Sequence, residues 1–183
     1  MIRRGLDYMS VRTGKGDSGF TDLLFRGRIS KDSDEIRALG DIDELSSYLG
    51  IVKHKTTVRK EKAILEQIQV SLLIIASEIA IAPDKKHKLG ALLKKEDAEK
   101  ITKIAYQLEK KAKIDNCFYL PGEGELSSLL DISRSVARRA ERSVVRLLKG
   151  DKSANKNILS YLNCVSDILY ILARSKAGKK RNK

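Results

Sequence analysis

Apolar side chains along this chain recur mostly at spacings of three and four, the period of an α-helix that buries one stripe. From Asp32 to about Lys55 the stripe is Ile36, Leu39, Ile42, Leu45, Leu49 and Val52, with Asp32 as the expected N-cap and Glu35 three residues later. Ile64, Leu65, Ile68, Leu72, Ile75 and Ile79 predict a second helix from about Val58 to Ala82, which Pro83-Asp84 ends. Ile101, Ile104, Ala105 and Leu108 predict a third from about Glu96 to Lys113, followed by a loop that closes on Pro121-Gly122. A fourth from about Gly124 to Lys149 and a fifth from about Ala154 to Lys176 are separated by Gly150-Asp151-Lys152, short enough to make them antiparallel neighbours.

Residues from about Tyr8 to Lys31 hold no helical period and carry Gly14, Gly16, Gly19 and Gly27, so they read as an extended or looping arm. The expected class is all-α, with five helices carrying nearly all the apolar periodicity. One domain is expected over residues 1–175, with the arm at about 8–31, the helices at about 32–175 and a basic, disordered tail at 176–183.

Composition agrees with amphipathic helices: 42% of the 183 residues are hydrophobic, 33% are charged and only 2 are proline. The net charge of +13 is inflated by Lys176, Lys179, Lys180, Arg181 and Lys183 in the tail. Charge alone leaves a polyanion partner and a solvated basic surface equally open. Cys117 and Cys164 form neither a disulfide framework nor a zinc-spaced pair, so a reducing, cytoplasmic location is expected. No apolar run approaches the roughly 20 residues of a membrane span, and no secretory h-region follows Arg3-Arg4, so a soluble, unprocessed protein is expected.

Gly14-Lys15-Gly16-Asp17-Ser18-Gly19 matches the dinucleotide fingerprint formally, but no apolar strand precedes it and no βαβ unit surrounds it. What remains, from Thr13 to Thr21, is a segment whose glycines let backbone N–H groups approach phosphate oxygens; a flexible loop is the plain alternative. On the fourth helix Arg134, Arg138 and Arg142 recur every four residues, advancing about 40° per step in one stripe. The core face drawn by Leu130, Ala137, Ala140 and Val144 leaves Arg134 and Glu141 at its margin, with Glu141 available to hold a guanidinium. Arg138 and Arg142 lie further round, and a solvated basic face competes with a triphosphate site. Asn163 and Asp167 fall opposite the apolar line of the fifth helix, the usual mark of a solvent face. His54 and His87 lack carboxylates at Glu-x-x-His spacing, which argues against a di-iron bundle.

In order along the chain, these segments resemble the PduO-type ATP:cob(I)alamin adenosyltransferase family from about Val11 to Arg174. The matching motifs are Thr13 to Thr21, Ile29-Ser30-Lys31-Asp32, Ala38 to Leu45, Phe118-Tyr119-Leu120-Pro121-Gly122, Arg138-Arg139-Ala140-Glu141-Arg142, and Tyr161-Leu162-Asn163 with Ser166-Asp167. The resemblance implies a five-helix bundle that assembles as a trimer, with ATP and cob(I)alamin as substrates, magnesium as cofactor and a site in each intersubunit cleft. It implies ATP contacts at Thr13, Gly14, Lys15, Gly16, Thr21, Asp22, Lys31, Arg138, Glu141, Arg142 and Asn163, with Arg138, Glu141 and Arg142 closest to the chemistry. It further implies an intersubunit ion pair of Asp43 with Arg134, and Phe118 against the corrin. A reductase or a cobalamin-dependent enzyme is an implied partner. Lys15, Asp131 and Cys164 depart from the threonine, histidine and arginine common there. The rival readings are a non-enzymatic basic module for RNA or another polyanion, and a bundle that delivers or senses the cofactor.

Overall fold

The computed structural model describes residues 14–112, 114, 118–149 and 155–177, so Thr13, Cys117, the 150–154 connection and tail residues 178–183 lie outside it. Five α-helices follow a small β-hairpin: α1 Asp34–Lys55, α2 Arg59–Ala80, α3 Lys95–Ala112, α4 Glu125–Leu148 and α5 Lys156–Lys176. A short 3-10 helix, Pro83–Lys88, lies between α2 and α3.

The N-cap of α1 lies one residue later than expected. Ser33 holds the extended cap conformation and its hydroxyl accepts from the Ile36 N–H at 3.4 Å. Asp32 instead accepts from the Ser30 hydroxyl, and Glu35 takes Arg26 at 2.6 Å rather than closing a capping box. The apolar stripes then meet as the periodicity requires. α1 packs on α2 and α4, α4 on α5, and α5 on α3. Leu45, Leu65, Ile68, Ile101, Ala137, Ala140 and Leu169 are among the fully covered residues of one continuous core. Lys55 meets Glu125 and Arg146 meets Asp34, so opposite ends of α1 and α4 are paired and the two run antiparallel.

One buried carboxylate stitches the connections. Glu78 of α2 accepts from the Leu93 N–H and from Asn155 Nδ2 at 3.1 Å, and Asn155 also donates to the Leu93 carbonyl at 2.8 Å. Its charge is thus matched by directed donors rather than left bare in the core. Contrary to the expectation that no run is long enough, α2 has the length and apolar content of a membrane span. Its stripe Ile64, Leu65, Ile68, Leu72 and Ile75 is buried against the other helices, while Glu66 and Val70 face outward, the division of a core helix.

The arm is more ordered than an irregular loop. Strands β1 Phe20–Leu23 and β2 Gly27–Ser30 pair antiparallel, with Thr21 opposite Ile29 and Asp22 opposite Arg28. Phe25 at φ 53° and Gly27 at φ 82° make the turn. The hairpin docks on the bundle: the Ala82 N–H donates to the Leu24 carbonyl at 3.3 Å, and the Lys88 ammonium lies 4.7 Å from the Phe25 ring centre.

Candidate functional site

The glycine segment folds into two successive turns, with Asp17 N–H to the Gly14 carbonyl at 3.1 Å and Gly19 N–H to the Gly16 carbonyl at 3.2 Å. Gly14 and Gly19 take φ values of 68° and 79°, the left-handed region that a side chain resists. Lys31 closes the segment, its N–H on the Gly19 carbonyl at 2.9 Å. Its ammonium lies so close to Gly16 that a Cβ there would stand 2.8 Å from Nζ. Gly14, Lys15, Gly16 and Lys31 are therefore one local unit, with Thr21 and Asp22 on the strand that follows. Arg28, which carries no signal in the linear pattern, donates to the Lys15 carbonyl at 2.7 Å and to Ser18 Oγ at 3.1 Å while lying over the Phe20 ring. Only recognition of the hairpin, which turns Arg28 back over the glycines, would have found it.

On α4 the helical stripe lands where its period places it. Arg134 and Glu141 are half-buried at the core margin, and Arg138 and Arg142 are exposed. Two grooves flank the stripe. One, of about 720 Å³ between α3, α4 and α5, is lined by Arg134, Arg138, Asn163 and Asp167, with Tyr106 and Glu109 opposite. The other, of about 650 Å³, holds Arg142 with Glu44, Tyr48, Pro121 and Gly122, and Arg134 reaches it too. The solvent-face reading of Asn163 and Asp167 is thus right about exposure, and both also line this groove. Partial desolvation against the groove wall pushes the carboxyl of the exposed Asp167 above its usual range, with Arg138 pulling it back down and Glu109 adding to the rise. The Cys164 thiol in the same groove is likewise raised by burial.

Glu141 does not hold a guanidinium: it makes no ion pair among the described residues. The clamped arginine is Arg139, whose Nε donates to Asp41 at 2.9 Å and whose Nη2 donates to Glu44. Asp41 also accepts from Ser143. One residue advances a helix by about 100°, enough to turn Arg139 from the stripe toward α1 and its two acids. Asp43 is exposed, and Arg134 has Asp131 at 3.9 Å as its carboxylate within the chain, so the expected Asp43–Arg134 pair is not made inside one subunit. Phe118 projects fully into solvent, while its neighbour Tyr119 stacks on Arg174. Among the described residues no three His, Cys, Asp or Glu side chains cluster as metal ligands, and the lining of neither groove includes a residue of the arm.

A family model described as cobalamin adenosyltransferase matches residues 11–176. The corrinoid adenosyltransferase of Bacillus subtilis is 34% identical over 176 residues, covering 91% of this chain and 86% of that one. The corrinoid adenosyltransferase PduO of Salmonella typhimurium is 29% identical over 167 residues, 91% of this chain and 49% of that one. The chain thus spans about half the length of the first curated relatives it matches. A solved variant of the PduO-type ATP:corrinoid adenosyltransferase from Lactobacillus reuteri, complexed with cobalamin and ATP, superposes with a TM-score of 0.81 at 25% identity, covering 91% of this chain and 92% of that one.

Proposed function

This chain belongs to the cobalamin adenosyltransferase family, and on that premise we propose that it transfers the 5′-deoxyadenosyl group of ATP to cob(I)alamin, releasing triphosphate. The observation that carries the reading is the convergence of Arg134 and Arg138 with Asn163 and Asp167 in one groove. In this reaction the cobalt(I) electron pair forms the bond to the 5′ carbon, the carbon–oxygen bond breaks, and triphosphate leaves with the pair of that broken bond. The protein needs no nucleophile of its own. Its task is to hold two reactants in line and to stabilise negative charge on the leaving group, which planar, permanently charged guanidiniums do well.

Arg138 and Arg142 take the triphosphate in this proposal, Asn163 orients the nucleotide, and Glu141 lies beside them. The arm of a neighbouring subunit, with Thr13, Gly14, Lys15, Gly16, Thr21, Asp22 and Lys31, completes the site; support comes from the described residues of the arm, which line neither groove of their own chain. A homotrimer joined by Asp43 of one subunit and Arg134 of the next fits their lack of a mutual pair within a chain. Phe118 meets the corrin. Magnesium would travel on the phosphates, since it keeps several waters and takes only one or two carboxylates, and this suits a site without an acidic cluster among the described residues. The buried Cys164 thiol suits a reducing cytoplasm. A plain polyanion-binding role leaves the arrangement of Arg138 with Asn163 and Asp167 without a purpose.

The test is anaerobic incubation of the protein with ATP and chemically reduced cobalamin. Adenosylcobalamin and stoichiometric triphosphate are expected; their absence overturns the proposal.

A further inference from the structure

In the last turn of α5, Arg174 is an arginine taken out of water, its side chain 3% exposed. Its Nη2 donates to Asp131 of α4, whose side chain is 8% exposed. Its Nε and Nη1 are buried and make no hydrogen bond among the described residues. Two aromatic faces cover the guanidinium instead, Tyr119 with its centroid at 5.1 Å and Tyr170 at 5.6 Å. A buried cation with one carboxylate partner is poorly compensated unless electron-rich surfaces face its remaining edges, and tyrosine rings supply such surfaces.

Tyr170 is fixed in α5, but Tyr119 belongs to the loop before α4. On either side of it Phe118 and Leu120 are exposed, at 108% and 72%. The loop therefore turns one aromatic ring inward onto Arg174 and presents the adjacent one to solvent. Asp131 has a second cation within reach, Arg134 Nε at 3.9 Å, and Arg134 also lies over Tyr170 at 6.0 Å. The same carboxylate thus touches the arginine beneath the loop and the arginine that lines both grooves.

We infer that Arg174, oriented by Asp131, is a positioning residue that holds Tyr119 and so fixes where Phe118 meets the corrinoid substrate. The inference rests on the proposed reaction. It also gives a reason for Asp131, one of the departures from the family pattern: a carboxylate is the side chain that pairs with a guanidinium in a dry setting. Arg174 touches no reactant; it acts through the loop.

Two readouts test this. In steady-state adenosylation by the full chain, with ATP and cob(I)alamin varied in turn, Tyr119→Leu raises the corrinoid KM about 30-fold, the scale of a desolvated cation–π contact, and leaves the ATP KM unchanged. Tyr119→Phe keeps the ring and holds the corrinoid KM within about twofold of wild type. An unchanged corrinoid KM in Tyr119→Leu, or equal rises in both KM values, overturns the inference. The second readout needs no turnover and uses the absence of tryptophan from the chain. A Phe118→Trp reporter shows steady fluorescence anisotropy that falls when Tyr119→Leu is added and holds when Tyr119→Phe is added; equal anisotropy in all three proteins overturns the pinning. Wild-type protein that makes no adenosylcobalamin sinks the proposed reaction, and the anisotropy then decides the pinning separately.

Discussion

Arg138 stands where the stripe of α4 opens onto the α5 side of the bundle, exposed and facing Asp167 across the groove. Removing its guanidinium costs the fold little, because the side chain is not part of the core. Arg138→Ala is therefore expected to abolish adenosyl transfer while the circular dichroism of the helices is unchanged; near-normal turnover would remove that arginine from the site. Asp167 makes the converse point. Its carboxyl is raised by partial desolvation in the groove, with Arg138 opposing and Glu109 reinforcing the shift. A carboxyl raised in the folded state gives a stability contribution present below its unfolded pKa of about 3.9 and lost as pH rises through the folded value. At neutral pH the ionised Asp167 thus weighs slightly against folding. Asp167→Asn should melt no lower than wild type at pH 7, with the gap between them closing as pH falls toward about 4; a clearly lower melting temperature at pH 7 would contradict this.

At the level of elements, the contact between α1 and α4 carries a polar clamp as well as apolar packing. Arg139 spans Asp41 and Glu44, which lie on successive positions of the α1 face turned toward α4, and Ser143 adds a hydroxyl one turn on. A guanidinium reaches both acids because its donors form a rigid fork, whereas an ammonium is a single point. The pair is partly solvated, so screening limits its worth. Arg139→Lys should cost about 1 kcal/mol, a fall in Tm of roughly 2–4 °C for a chain of this length, read by thermal denaturation. No change in Tm would mean the clamp contributes only position. The hairpin is the other element with a mechanical part: Arg28 and Lys31 brace the glycine turns from the strand side, so the arm is a shaped unit rather than a tether.

For the whole molecule, the arm and the grooves are separate regions of one chain, and the proposed site exists only where two chains meet. Assembly and nucleotide binding should then be linked. Asp43→Arg is expected to shift sedimentation velocity from trimer toward monomer and to weaken ATP binding together. Adding Arg134→Asp restores the charge pairing and the trimer, but not turnover, since Arg134 also lines the grooves. A trimer undisturbed by Asp43→Arg would reject that ion pair.

Much of this architecture was written in the linear pattern. Five helices, the outward lie of Arg138 and Arg142, and the marginal burial of Arg134 and Glu141 follow from a period of about 3.6 residues, which each segment expresses by itself. The glycines of the arm also announced themselves, because left-handed φ values are a local demand. Other features had no local signature. The cap at Ser33 and the hairpin turn on local choices that apolar periodicity does not report, while the clamp of Arg139 by α1 rather than of an arginine by Glu141, and the burial of Arg174 on Asp131 and Tyr119, depend on partners far along the chain. Periodicity states which face of a helix turns inward; only the packing of helix against helix decides what that face, and its margins, will touch.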